Sequence, residues 1–473
     1  MVDSTTVLPP RPGRRGRTHG PRLFAVIAWT ESEPERLGEV VRLPRRGESL
    51  LLGRGDVRPD DDAPRARFVR RRPGHEALAG ALAGPGLSRK QLLFEGTDQG
   101  LIVTNVGRCE LLFRGTAVDR AAVSAGDCLL LRDQLLLYVV ERPERLAAPM
   151  AWRRDDDPAF GRPDARGLVG ESPPAWELRD RLAFAAGRDK HVLLLGDSGS
   201  GKELAARTAH ALSSRGHRGL VSRNAATLPE GLVDAELFGN IKDYPNPGMR
   251  ERPGIVGDAN GSNLFLDEIA ELPESLQAHL LRVLDSGGEY QRLGESRVRR
   301  SDFRLIAATN RPPEDLKHDL LARIPLRVEV PGLPARREDI PLLIRHLLAA
   351  SRRDDPEMAR RFGDEAGGLR ISPELVEALL GHDYTHHVRE LSNLLWVAIG
   401  SSRGAVIERT ADVDALIATP AAAATAPTEL TPEAVRDALD RHDWVQAKAW
   451  RELGLKNRHQ LARLIAKHGL ARD

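Results

Sequence analysis

Gly196, Gly201 and Lys202 belong to the string GDSGSGK, a G-x-x-x-x-G-K spacing between the apolar run HVLLL and the helical pattern KELAARTAHAL. These residue types suit a polyphosphate. Glycines let successive backbone N–H groups curl around phosphate oxygens, a lysine supplies a point charge, and a helix N-terminus adds its dipole. The candidate binding residues are Gly196, Asp197, Ser198, Gly199, Ser200, Gly201, Lys202 and Glu203, the last standing where Ser or Thr is usual. Alone, the string also fits a chance glycine turn. A second element argues against that: NLFLDEIAEL is an apolar strand ending in Asp267 and Glu268. Asp267 can hold Mg2+, directly or through water, and Glu268 can polarise an attacking water. A third strand, FRLIAATNR, ends in Thr309 and Asn310. In an open α/β sheet such strand ends form the ligand crevice.

These residues need elements to position them. Residues 166–335 alternate apolar strands with amphipathic helices, which predicts an α/β subdomain, and 336–415 are helical throughout. Ahead of them, residues 21–143 carry short apolar runs (LFAVIAW, ESLLLGR, KQLLFEG, GLIVTNV, CELLFRG, CLLLRDQLLLYVVE) separated by Gly, Asp and Asn. That spacing predicts an all-β sandwich. Residues 1–20, rich in Pro, Gly and Arg, read as a disordered arm. Residues 144–165 read as a linker, 416–428 as a low-complexity hinge, and 429–473 as an all-α, basic end.

Composition narrows the function. The chain has 473 residues, so several domains are expected, and its formal net charge of +2 gives no global pull toward nucleic acid or membrane. Any such surface must be local. Cys109 and Cys128 make no metal-ligand spacing and no disulfide framework, which fits a reducing cytoplasm. No apolar run approaches the roughly 20 residues of a membrane helix, and no leader pattern is present.

The run from VLLLGDSGSGKELAARTAH through NAATLPEGLVDAELFG and NGSNLFLDEIAELPESLQAHLLRVL to LIAATNR resembles the AAA+ ATPase domain of bacterial enhancer-binding proteins, the sigma-54 activators. PARREDIPLLIRHLL and HVRELSNLL extend the resemblance, which covers roughly residues 166–415. It implies ATP and Mg2+ as ligands and ATP hydrolysis as the activity. Glu203 is then no anomaly, because that family typically carries Glu there. By position, Asn224 matches the residue that holds the catalytic glutamate until nucleotide binds, and Asn310 matches the first sensor. Arg323 matches an arginine finger reaching the next subunit's γ-phosphate, and Arg389 matches the second sensor on the helical lid. Either arginine is alternatively a plain surface charge. A nearby family arginine is Lys317 here, which keeps the charge but loses the planar fork. A finger acting in trans implies a homo-oligomer, a hexameric ring in the active form.

In that family the loop after ELFG carries the motif GAFTGA, which contacts sigma-54. Here the same register holds Asp243, Tyr244, Pro245, Asn246, Pro247 and Gly248. Proline fixes φ and removes a donor, so two prolines around one Asn predict a stiff turn instead of a glycine-hinged tip. Two readings follow: the loop has drifted, or it contacts a different partner. Both predict loss of ordinary sigma-54 remodelling.

The N-terminal sandwich resembles a forkhead-associated domain. LLLGRG places Arg54 after a strand, and GLSRKQLLF places Ser88 and Arg89 where that family has S-R-x-H, with Gln91 in place of the histidine. The resemblance implies phosphothreonine binding by Arg54 and Ser88, with Asn105 and Arg108 as further candidates. A purely structural docking module is the alternative. At the other end, Thr431 and Pro432 start a helical pattern, and VQAKAWREL and NRHQLARLIAKHGL are joined through Gly454. This segment resembles a Fis-type helix-turn-helix, whose last helix would set Lys456, Arg458, His459, Gln460 and Arg463 against DNA. Seven basic residues against two acids after Trp444 make a phosphate-binding footprint. A helical oligomerisation tail is the alternative.

The sequence thus predicts a cytoplasmic, ATP-binding and DNA-binding transcription regulator that senses a phosphothreonine protein and acts on RNA polymerase. The alternative is a nucleotide-switched DNA-binding regulator, or scaffold, without ATPase-driven output.

Overall fold

The computed structural model describes residues 20–418 and 432–442, apart from 60, 229–231, 245, 286 and 365–367. Residues up to 416 form one compact unit. Its N-terminal part is β-rich. The strands are β1 (Arg22–Thr30), β2 (Val40–Arg42), β3 (Ser49–Leu52), β4 (Val69–Arg72), β5 (His75–Leu78), β6 (Leu92–Thr97), β7 (Gly100–Asn105), β8 (Leu111–Phe113), β9 (Thr116–Ala117), β10 (Arg120–Val123), β11 (Cys128–Leu131) and β12 (Leu135–Arg142). They make two antiparallel sheets, ordered β5-β4-β2-β1-β12-β11-β8-β9 and β10-β7-β6-β3.

One reading of the sequence changes here. The run CLLLRDQLLLYVVE is not one strand. It is the hairpin β11–β12, turned at Asp133, which sits at φ 54°. The stretch between Arg54 and Ser88 supplies β4 and β5. Its Arg65 is pinned by Asp61 and by the Arg89 carbonyl, the latter at 2.6 Å.

The α/β part holds a five-stranded parallel sheet of β13 (Val192–Leu195), β14 (Val221–Asn224), β15 (Asn263–Asp267), β18 (Arg304–Thr309) and β19 (Leu326–Glu329), ordered β14-β15-β18-β13-β19. A short hairpin, β16 (Glu289–Tyr290) with β17 (Arg299–Arg300), precedes β18. Helices α1 (Pro173–Ala186), α2 (Lys202–Ala211), α3 (Val233–Phe238), α4 (Gly254–Asp258), α5 (Glu274–Asp285) and α6 (His318–Arg323) surround the sheet. Both faces are covered, which explains the unbroken apolar strands. Leu264, Leu266, Leu305 and Ala307 point into one core, while Phe265, Ile306 and Ala308 point into the other.

The helical part follows as α7 (Ile340–Asp354), α8 (Pro356–Phe362), α9 (Pro373–Gly381), α10 (His387–Ser401) and α11 (Ala411–Ala418). Helices α1, α8 and α9 start alike: Ser172, Asp355 or Ser372 caps the first turn and proline takes the first helical position. Residues 144–165, read as a linker, are packed: Trp152 is buried edge-on against Trp176, and Asp180 accepts from the N–H groups of Met150, Ala151 and Trp152.

Within this unit the β-rich part docks on the helical part. Helix α9 lies against β1 and β12. Trp29 Nε1 donates to Ile371 O at 2.9 Å, and Arg142 at the end of β12 pairs with buried Glu338 at 2.7 Å. The other unit spans residues 417–473. Its described helix, α12 (Pro432–Arg441), begins at the proline read as a helix start and buries Val435, Ala438 and Leu439. No helix among the described residues is long and apolar enough to cross a membrane.

Candidate functional site

Sheet register brings the sequence-predicted residues together. Leu195 lies level with Thr309 on one side and Glu329 on the other, and Asn224 lies level with Asp267. All strands run parallel, so these residues line one edge, and the turn 196–201 rises from the middle of it. Gly201, at φ 107°, lets the chain enter α2 in a left-handed conformation that a side chain would resist.

Lys202 is buried, and its ammonium donates to Gly196 O at 2.9 Å and Asp197 O at 3.2 Å. Glu268 lies 3.9 Å from it. Glu268 itself sits at φ 50°, a conformation uncommon outside glycine, which turns its carboxylate back over the strand ends. There it accepts from Asn310 N at 3.4 Å. Asp267 accepts from Glu268 N at 3.0 Å, and burial pushes its carboxyl up, opposed by that N–H and by Lys202. Ser200 Oγ is buried without a partner among the described residues. A cavity of about 440 Å³ opens beside Gly196, lined by Pro174, Leu178, Val330 and Ala335.

The helical part closes over this turn. Three of the first four residues from His386 meet three successive turn residues: His387 Nε2 contacts Asp197 Oδ2 at 3.2 Å, Arg389 Nη1 donates to Ser198 Oγ at 3.2 Å, and Val388 N donates to Gly199 O at 3.2 Å. Arg389 thus stands against the 196–201 turn. Arg336 Nη2 also donates to Ser200 O at 3.1 Å. His387 and Arg336 were not singled out from sequence. The signals were the doubled histidine ahead of VREL and the doubled arginine in PARRED.

Other candidates lie elsewhere or are differently engaged. Asn224 Oδ1 accepts from Ala226 N at 2.9 Å, so in this conformation it caps its own turn and does not hold Glu268. Glu203 pairs with Arg207 at 2.6 Å on the exposed face of α2. Arg323 is exposed and paired with Asp285, and Lys317 lies 3.9 Å from Glu274. Lys456, Arg458, His459, Gln460 and Arg463 lie outside the described residues.

In the β-rich part, three loops meet where Arg54, Ser88 and Arg89 stand. Arg54 N donates to Ser88 O at 2.9 Å, and Ser88 Oγ accepts from Arg108 N at 2.9 Å. Gln91 is fully buried and ties the loops: its Oε1 accepts from Ser88 N, and its Nε2 donates to Asn105 Oδ1 and Cys109 O, both at 2.8 Å. The guanidinium groups of Arg54, Arg89 and Arg108 have no ion-pair partner among the described residues.

The loop after α3 is closed on itself. Asn240 is fully buried and bonds both ways with Arg252, and its side chain donates to Ile241 O and Arg250 O. Asp243 N donates to Met249 O at 2.8 Å, and Gly248 N donates to Asp243 Oδ1 at 2.8 Å. Pro245 lies outside the described residues.

Comparison with known proteins adds to this geometry. A family model described as the sigma-54 interaction domain matches residues 168–327, and one described as the AAA+ ATPase lid domain matches 335–429. The transcriptional regulatory protein ZraR of Salmonella typhimurium is 34% identical over 311 residues, covering 63% of this chain and 68% of its own. The Nif-specific regulatory protein of Azotobacter vinelandii is 36% identical over 311 residues, 62% of this chain and 57% of its own. A solved structure, NtrX from Brucella abortus in complex with ATP, shares 28% identity over 64% of this chain and 69% of its own, with a TM-score of 0.44.

Proposed function

The chain belongs to the sigma-54-dependent transcriptional regulators, and from that premise we propose that it binds and hydrolyses ATP at the 196–203 turn and uses the cycle to control transcription from DNA that it binds itself. The observation that carries this reading is the buried Lys202 ammonium, held inside the turn and 3.9 Å from Glu268.

The roles follow from position. Backbone N–H groups of 197–202 and the Lys202 ammonium take the β- and γ-phosphates, and the cavity beside Gly196 takes the base. Asp267 fits Mg2+: it is a half-buried carboxylate at a strand end with one oxygen unpartnered among the described residues. Mg2+ bound there would neutralise phosphate charge. Glu268 orients a water in line with the γ-phosphorus and accepts its proton as ADP departs. Arg389 reports on the phosphates from the lid, and Arg323 serves the neighbouring subunit's site in a homo-oligomer. Lys202→Ala should reduce ATP turnover to background, and Glu268→Gln should retain ATP binding while losing at least about 100-fold in turnover. Turnover surviving Lys202→Ala would overturn the site.

The two ends supply input and address. Arg54, Ser88 and Arg89, with Arg108, form the receptor of a forkhead-associated domain for a phosphothreonine protein, and Gln91 ties its loops together. Residues 429–473 bind DNA through a Fis-type reader.

A second reading concerns output. The closed, Asn240-pinned loop favours a nucleotide-switched DNA-binding regulator without conventional sigma-54 remodelling. In vitro transcription with sigma-54 polymerase and with housekeeping polymerase, with and without ATP, separates the two. ATP-dependent open complexes with sigma-54 polymerase would exclude the second.

A further inference from the structure

Helix α10 carries a large aromatic ring on its solvent face. Its Leu391, Leu394, Leu395 and Ala398 are buried, which leaves Arg389, Asn393, Trp396 and Gly400 as one exposed stripe. Such stripes are ordinarily polar. Trp396 nevertheless stands there 48% exposed, and its indole N–H has no partner among the described residues. The other aromatic ring among their exposed large apolar side chains, Tyr244, is laid on Gly294 of the β16–β17 turn. Trp396 lies about 10 Å along the helix axis from Arg389, whose guanidinium reaches Ser198 of the phosphate-binding turn.

Helix α5 shows the complement. It buries Leu276, Gln277, Leu280 and Val283, and its outer stripe of Ala278, Leu281, Arg282 and Asp285 lines a surface groove of about 450 Å³. Ala278 and Leu281 are half-buried and make an apolar floor. Arg282 is exposed, and its guanidinium makes no ion pair among the described residues. Asp285 closes the groove and holds Arg323, the arginine proposed to serve a neighbouring subunit. The ring therefore stands beside a subunit's own nucleotide site, and the groove beside the arginine that the subunit would lend.

We propose that Trp396 of one subunit seats in the α5 groove of the next. The indole face lies over the Arg282 guanidinium, its rim rests on Ala278 and Leu281, and Nε1–H donates to Asp285 in place of Arg323. One contact then joins two copies and releases Arg323 toward the nucleotide held by the subunit that supplies the tryptophan. The exchange costs little, because the Arg323–Asp285 pair is exposed on both sides. Each chain presents both halves as different patches, so the contact is head-to-tail and repeats into a ring or a filament without a second protein. The proposal rests on the reading that Arg323 acts in a neighbouring site. It adds which surfaces meet and what displaces the arginine from Asp285.

The test follows assembly of the full-length chain by sedimentation across protein concentration, with a slowly hydrolysed ATP analogue present. Trp396→Ser and Arg282→Ser should each raise the midpoint concentration about 10-fold or more. The double variant should be no worse than the more damaged single, because the two side chains act on each other. Trp396→Phe keeps a ring and loses the N–H, and should fall between. Melting temperature, and binding of a fluorescent ATP analogue to dilute protein, should stay unchanged in all of them. An unchanged midpoint in Trp396→Ser overturns the proposal, as do additive effects in the double variant. So does an unchanged midpoint accompanied by lost binding to sigma-54 holoenzyme, which would assign the tryptophan to another protein. Arg323→Ala separates this contact from the reading beneath it. Turnover surviving in Arg323→Ala strikes the finger and leaves the sedimentation result standing, whereas an inactive Arg323→Ala beside a Trp396→Ser that assembles normally strikes the contact alone.

Discussion

His191 shows how one side chain can set a pH limit on the nucleotide-site sheet. It precedes β13, and its Nδ1 accepts from Leu305 N at 3.0 Å, so the ring must be neutral to hold the start of β18. Burial, with Arg304 nearby, holds its pKa down at about 4. A histidine with a depressed folded pKa stabilises the fold above its ordinary value, and that contribution is lost as pH falls from about 6.5 toward 4. The full loss is up to about 3 kcal/mol. Melting temperature should therefore fall over that window in the native chain and fall less in His191→Gln; parallel curves would refute the assignment. Gly199 is limited by space instead. It sits at φ 82°, and a Cβ there would lie 2.1 Å from His386 O. Gly199→Ala should push α10 off the turn and weaken ATP binding about 10-fold or more, with little change in melting temperature, read by nucleotide titration.

At the scale of elements, the chemistry-bearing strings were legible because each is local. A glycine turn between a buried strand and a helix, and an acid pair closing an apolar strand, carry their geometry in adjacent residues. Strands β1 and β12 were legible as apolar but not as the sheet's centre: they read as continuous runs because α9 covers them. The β11–β12 turn was hidden because Asp133 supplies a positive φ that is usually marked by glycine. His387 and Arg336 were illegible for a different reason. Their partners, Asp197 and Ser200, lie 190 and 136 residues away, and the doubled histidine and doubled arginine beside them do not say which residues they meet. The two prolines of DYPNPG are plain in the sequence, but the fastening of Gly239 and Ile241 to the β16–β17 turn is not.

At the scale of the molecule, the finger role proposed for Arg323 requires it to leave its present partner. Its pair with Asp285 is exposed on both sides, and such pairs are worth about 0–1 kcal/mol, so assembly can break it cheaply. Lys202→Ala and Arg323→Ala proteins should each be inactive alone, and mixing them should restore measurable ATP turnover. No recovery in mixed oligomers would place Arg323 outside the site. The buried pair Arg142–Glu338 is another matter. Arg142→Ala would strand a buried carboxylate and should cost about 3–5 kcal/mol. Burial raises the Glu338 pKa, so its contribution favours folding below the ordinary carboxylate range and is lost as pH rises through the folded value. The variant's deficit in chemical denaturation should accordingly shrink in mild acid.

The tetrapeptide Arg336–Asp339 spends each side chain on a different quarter: Ser200 O, the carbonyls of Leu380 and His382, Arg142, and the start of α1 at Ser172. The β-rich part is therefore not a detachable cassette. An ATPase fragment cut to begin at residue 166 would carry away Glu338 without Arg142 and Ile371 O without Trp29. Such a fragment should express as a weakened protein whatever the β-rich part senses, and any activity it shows would describe an injured molecule instead of a released one. Restoring Glu338→Gln in that fragment should raise its melting temperature, which is how injury and release can be told apart.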